Sequence, residues 1–204
     1  MVGEARLLHG PVLTGRIKGT TDDFLSFLRD KAVMAIVIPK NTSALAERII
    51  RLAQADIPIL ENPIGSNRSP EIDAMAKRYG TPLGSPWCAL WVAAKWQDAG
   101  AGIPPSVGQS HPARAESWRV WAIQTGRFSH KPIFGGAVLY GASGKAPAEH
   151  IACCVVSLAP ILMDLEGNTS ETGFSREGEL TELKRVNTAR LIGYVSPEPI
   201  EVSV

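Results

Sequence analysis

The sequence predicts an α+β fold: N-terminal helices packed on a mostly antiparallel sheet of about five to six strands. Three observations predict it. Apolar residues recur at helical spacing in the stretch between residues 45 and 99, and from Ala137 onward they change to period two. The 19 Gly and 15 Pro cluster between these apolar segments, which marks short elements joined by surface loops. Helices followed by a run of strands is the order of an α+β domain, not of a βαβ alternation.

The elements follow in order. Pro11 to Lys18 reads as a short strand, Thr21 to Asp30 as a helix, and Ala35 to Pro39 as a β-branched strand. Residues 1–44 form an N-terminal extension ahead of the main domain, 45–198, and 199–204 is a tail. Asn41-Thr42-Ser43 caps a helix whose apolar face is Leu45, Ile49, Ile50, Leu52 and Ala53, and Asp56-Ile57-Pro58 stops it. Glu61 to Pro70 is a loop. Ser69 caps and Pro70 opens the helix Glu71 to Tyr79, closed by Gly80. Ser85-Pro86 starts a third helix, Trp87 to Ala99, ending at Gly100. A short helix near Arg114 to Ile123 follows. The strands are Ala137 to Tyr140, His150 to Ser157, Ile161 to Glu166, Leu180 to Val186 and Leu191 to Val195.

Composition narrows the function classes. The chain of 204 residues carries 21 Lys+Arg against 20 Asp+Glu, a formal charge of +1. Such a balance lacks the basic surplus that phosphate backbones or acidic lipid surfaces select, so neither nucleic acid nor membrane is an expected partner. The apolar runs Ala32 to Pro39 and Ile151 to Met163 are too short to span a bilayer, and Pro160 interrupts the second. Met1 to Gly10 has no apolar segment or cleavage site of a secretory signal. The expectation is a protein made in the cytoplasm that reaches any target outside it by lysis or dedicated export machinery. Three cysteines are too few for a disulfide framework.

The chemistry-bearing residues begin with Cys88. With Ser85 as cap and Pro86 in the first turn, Cys88 falls at about the third helical position. Unpaired N–H groups and the positive end of the helix dipole there favour a thiolate. A buried structural cysteine is the alternative. A thiolate nucleophile needs a base and the base an orienting partner. His9, His111 and His130 lie in the extension or in loops, where solvated surface is their ordinary fate. His150 opens an apolar strand, which fixes a side chain while leaving it facing a cleft. On the next strand Asp164, Glu166 and Asn168 share one face by alternation, and Gly167 permits a close backbone approach or a bulge. Cys153 and Cys154 face opposite sides of a strand and fill apolar layers. Trp118 and Trp121 are candidates for lining a substrate groove, with Trp87 beside Cys88 as a third. Against this, the helical spacing of Trp87, Trp91 and Trp96 among alanines favours core.

Cysteine at a helix start, histidine at a strand start and a Glu/Asn pair ending the next strand are the parts of a papain-like thiol site. In Gly84-Ser85-Pro86-Trp87-Cys88-Ala89, Phe134-Gly135-Gly136-Ala137-Val138-Leu139-Tyr140, Glu149-His150-Ile151-Ala152 and Leu165-Glu166-Gly167-Asn168-Thr169-Ser170, the sequence resembles the CHAP branch of the NlpC/P60-like cysteine peptidases and amidases. Leu191-Ile192-Gly193-Tyr194-Val195 is similar to that family's last strand. Asn67-Arg68-Ser69-Pro70-Glu71-Ile72 is similar to the lead-in of phage-type wall hydrolases. Departures are Gly136-Ala137 where the family often has Gly-Asp, and Glu149 before and Ile151-Ala152 after the histidine.

The resemblance implies a papain-like fold and a peptidoglycan hydrolase of the endolysin type, with peptidoglycan or its muropeptides as partner. The bond cut would be the muramoyl-L-alanine amide or one within the stem peptide or cross-bridge. By position, Cys88 is the nucleophile, His150 the base, Glu166 its orienting residue and Asn168 an assistant on the same face. No metal or other cofactor is implied. A non-catalytic wall-binding or virion-structural module on the same fold, and an amidase for a small soluble amide, are the competing expectations.

Overall fold

A computed structural model describes residues 5–6, 38–39, 42–158, 161–169 and 180–200, without the side chains of 5–6, 38–39, 154–158 and 161. The strand expected at Pro11 to Lys18 and the helix at Thr21 to Asp30 lie outside the described residues. Of the extension, β1 (Ala5–Arg6) pairs antiparallel with β2 (Ile38–Pro39).

Four helices follow: α1 (Ala44–Ala55), α2 (Pro70–Arg78), α3 (Cys88–Ala99) and α4 (Ala115–Gln124). Their ends obey the capping rules. The Ser43 hydroxyl accepts from the Ala46 N–H, and the Ser69 hydroxyl accepts from the Ile72 N–H with Pro70 in the first turn. Gly80 and Gly100 stand in left-handed backbone just past α2 and α3. The N–H of Thr81 returns to the Ala76 carbonyl and that of Ala101 to the Trp96 carbonyl, as such a stop requires.

The start of α3 differs from the sequence expectation. Its cap is Trp87, and Cys88 is the first helical residue, not about the third. Ser85 does not cap, because Gly84 at φ +81° turns the chain beforehand and the Ser85 hydroxyl donates back to the Pro82 carbonyl at 2.7 Å.

The strands are β3 (Phe128–Ser129), β4 (Ala137–Gly141), β5 (Ala148–Ala152), β6 (Cys154–Leu158), β7 (Ile161–Thr169), β8 (Leu180–Arg185) and β9 (Leu191–Val195). All pair antiparallel, in sheets ordered β3-β9-β4-β5 and β6-β7-β8. The fold class is therefore α+β with antiparallel sheets. The strand expected over His150 to Ser157 is broken at Cys153, where β5 ends and β6 begins. The two sheets stay joined there, since the Cys153 N–H donates to the Leu165 carbonyl at 2.8 Å. That bond sets the middle of β7 beside the end of β5 and so delivers Glu166 to His150.

The main core lies between the helices and one face of this sheet. Trp87, Trp91, Trp96 and Trp118 pack there with Ile49, Ile50, Leu90, Leu139 and Ile151. Val138, Tyr140, Ala152 and Tyr194 form a smaller cluster. Among the described residues no helix is long and apolar enough to cross a membrane.

Candidate active site

Three elements meet at Cys88. The first turn of α3 carries the cysteine, β5 carries His150 in its middle, and β7 carries Glu166. Cys88 is 8% exposed and a free thiol. Burial pushes that thiol up, but the His150 imidazolium beside it, a hydrogen bond from the same ring, and backbone hydrogen bonds from Ile151 and Ala89 outweigh burial. The net effect is a thiol acidified below its ordinary 9.0. Because Cys88 is the first residue of the helix, the Ala89 N–H has no intrahelical partner and is free to serve the sulfur.

His150 shows the reciprocal effect. Burial pushes the ring down, yet Cys88 and Glu166 together raise it to about 10. Each group thus favours the charged form of the other, the ring drawing the thiol toward thiolate and the sulfur drawing the ring toward imidazolium. Behind the ring, His150 Nε2 lies 3.7 Å from Glu166 Oε2. That is charge attraction at a distance longer than a hydrogen bond. Glu166 is itself buried; burial pushes it up, but the imidazolium, the Thr169 hydroxyl and the Lys184 ammonium hold its carboxyl below the ordinary value. Thr169 donates to Glu166 Oε2 at 2.7 Å, and Lys184 donates to the Thr169 hydroxyl at 2.7 Å.

The alternation expected to place Asn168 on the face of Asp164 and Glu166 is broken. Between Glu166 and Thr169 the register with β8 shifts, and Asn168 takes left-handed backbone at φ +56°. Asn168 is buried, but the hydroxyl that supports Glu166 belongs to Thr169, one residue further on. The bulge has a steric cause. A Cβ on Gly167 would stand 2.9 Å from Trp91 and 3.0 Å from Trp87, so only glycine lets β7 pass beneath the two indoles.

The tryptophans correct the groove expectation. Trp87 and Trp118 are wholly buried and present no surface to a ligand. Their indole N–H groups are used internally, by the Glu61 carboxyl at 2.9 Å and the Pro112 carbonyl at 2.8 Å. Trp121 alone of the three is part-exposed. It lines a cleft of about 340 Å³ with Val107, Glu116 and Val120, and the Arg127 guanidinium lies over its ring. His111 is not a solvated loop residue: Nδ1 accepts from the Ala113 N–H and Nε2 donates to the Tyr79 carbonyl at 3.0 Å, latching the 101–114 loop to α2. His130 is exposed and stacks edge-on with Phe128. Cys153 is a buried free thiol; the Cys154 side chain and His9 lie outside what is described.

Sequence reasoning passed over two neighbours of the site. Tyr140 is the cross-strand partner of His150 and lies nearly parallel to its ring. Glu61 holds Trp87, the residue before the cysteine. Among the described residues no three His, Cys, Asp or Glu side chains are placed to hold a metal ion. A thiolate at a helix start, an imidazolium against it and a carboxylate behind form a constellation suited to acyl transfer. No family model, curated protein or solved structure matches the chain.

Proposed function

We propose that this chain is a cysteine hydrolase of papain-like architecture that cleaves an amide bond of peptidoglycan. The observation that carries the catalytic part is the meeting of the Cys88 thiol at the start of α3 with the His150 ring on β5, and of that ring with the Glu166 carboxyl on β7. The wall substrate is supported by the resemblance of Pro86-Trp87-Cys88-Ala89 and Glu166-Gly167-Asn168 to the CHAP branch.

In the mechanism the Cys88 thiolate attacks the amide carbonyl. The carbonyl oxygen becomes an oxyanion that the N–H groups of the α3 start are placed to stabilise. The His150 imidazolium gives its proton to the leaving amine as the C–N bond breaks, leaving a thioester on Cys88. Neutral His150 then takes a proton from water, whose hydroxide attacks the thioester and restores the thiolate. Glu166 stabilises the imidazolium at both stages.

The test is digestion of purified peptidoglycan followed by mass spectrometry of the soluble muropeptides. Wild-type protein is expected to clear the wall and release one class of new termini, either free muramic lactyl groups or free peptide amines. Cys88→Ala is expected to release none. Binding to the wall without clearing by wild type would overturn the hydrolase in favour of a non-catalytic module. Inertness toward walls with turnover of small soluble amides would overturn the substrate.

A further inference from the structure

The link between His150 and Glu166 leaves a geometric gap. At 3.7 Å it fixes the ring less firmly than a hydrogen bond of about 2.9 Å would, so the plane of the imidazole needs another restraint. The structure supplies one on β4. Tyr140 stands opposite His150 in the β4–β5 register, with ring centroids 6.1 Å apart and planes 23° from parallel. Both the Tyr140 and Asp164 side chains are completely buried, and the Tyr140 hydroxyl donates to the Asp164 carboxyl on β7.

Resting on the proposed thiol chemistry, we infer that Tyr140 and Asp164 act together as positioning residues for His150: the phenol ring walls the imidazole, and the Asp164 carboxyl, sealed behind it, anchors the phenol. Neither group touches the reacting atoms. A wall that stops the ring from turning keeps one nitrogen on Cys88 and the other toward Glu166.

The chemistry of Asp164 fits an anchor rather than a second counter-ion. Its Oδ1 is buried without a hydrogen-bond partner, a costly state for an anion and an acceptable one for a protonated acid. Glu166, two residues along the same strand, carries the negative charge the imidazolium needs. Burial and that neighbouring charge push Asp164 well above the usual carboxylate range. The two carboxyls are thus pushed in opposite directions, Asp164 toward the neutral acid and Glu166 toward the anion. The charged or titratable groups facing His150 and this pair are Cys88 from α3, Tyr140 from β4, Asp164 and Glu166 from β7, Lys184 from β8 and Tyr194 from β9.

The test reads the thiolate without any substrate. The rate of Cys88 alkylation by iodoacetamide is followed against pH in the full chain, beside muropeptide release. Wild type is expected to react rapidly well below the ordinary thiol range. Tyr140→Leu removes the wall, and its alkylation at pH 6 is expected to fall about tenfold, the consequence of one unit of pKa. Tyr140→Phe keeps the ring but loses the hydroxyl that Asp164 anchors, and is expected to show the same fall, whereas Asp164→Asn, neutral and still an acceptor for the phenol, is expected to stay within about twofold of wild type. A merely structural pair would lower the melting temperature in Tyr140→Leu and leave the pH profile in place; that result overturns the inference. Should Tyr140→Leu fail to fold, Asp164→Ala, which removes the anchor alone, is expected to show the same fall, and an unchanged profile there overturns the inference equally. An ordinary thiol profile in wild type itself would instead sink the ion pair and the proposed function with it.

Discussion

His150 Nε2 and Glu166 Oε2 stand 3.7 Å apart, and the hydroxyl that steadies the carboxylate comes from Thr169 on the far side of a bulge. The carboxylate therefore acts on the ring through charge. Glu166→Gln keeps the shape and the Thr169 contact but removes that charge. It is expected to lower kcat/KM on wall fragments by about 10²-fold. It is also expected to move the alkaline limb of the pH profile downward, because the imidazolium loses one of the groups that raise it. Activity within twofold of wild type would remove Glu166 from the site.

The ion pair predicts a pH window. A His150 pKa raised from 6.5 to about 10 contributes stability that is fully present below 6.5 and lost as pH rises through about 10. A Cys88 pKa lowered from 9.0 contributes stability present above 9.0 and lost as pH falls through its folded value. Thiolate and imidazolium coexist between those folded values. Cys88→Ala deletes the group that raises His150 most, leaving burial to push the ring down. NMR titration of the His150 ring is expected to show its pKa well below 10 in Cys88→Ala. An identical titration in both proteins would mean that the sulfur is not ionised beside it.

The residues that carry this pair were legible in the sequence because each sits at a chemically marked place. Cys88 follows a proline at a helix start, His150 lies early in an apolar strand, and Glu166 ends an alternating run. The four helices and most of the strands were legible from periodicity, while the order of the strands in the sheets was not. What was not legible depends on contacts far apart in the chain. The Tyr140–His150 pairing is a matter of strand register, which a glycine-rich 141–147 connection leaves open. The break at Cys153 is fixed by the Leu165 carbonyl on another strand. The fate of Trp87 depends on Glu61, since an indole with a buried acceptor becomes core while the same indole without one is free to line a groove. The alternation expected at Asn168 is broken for a local reason of tertiary origin: the bulge clears Trp87 and Trp91.

Gly167→Ala tests that clearance. A methyl at 2.9 Å from Trp91 and 3.0 Å from Trp87 meets two ring systems that are wholly buried and have nowhere to move. The expected cost is about 1–3 kcal/mol of folding stability, read as a lower denaturation midpoint. Because the bulge also sets Glu166, activity is expected to fall further than the folded fraction does. A variant as stable and as active as wild type would show that β7 does not pass under the indoles as described.

Glu61 gives the last test, since it joins the 61–68 loop to the residue before Cys88. Its carboxyl is 3% exposed and accepts twice, from the Trp87 indole N–H and from the Asn67 backbone N–H, each at 2.9 Å. Glu61→Ala leaves both donors unsatisfied, the indole N–H in a buried site, at a cost of about 2–4 kcal/mol. Glu61→Gln keeps one acceptor oxygen and turns an N–H toward the other donor, so it is expected to cost roughly half as much. The two variants are also expected to differ at Cys88. In Glu61→Ala the Trp87 cap of α3 loses its tether, and alkylation of Cys88 at pH 6 is expected to slow, whereas Glu61→Gln keeps the indole bond and the rate. If both variants lost equal stability and neither changed the alkylation rate, the Glu61–Trp87 bond would have no part in setting the start of α3.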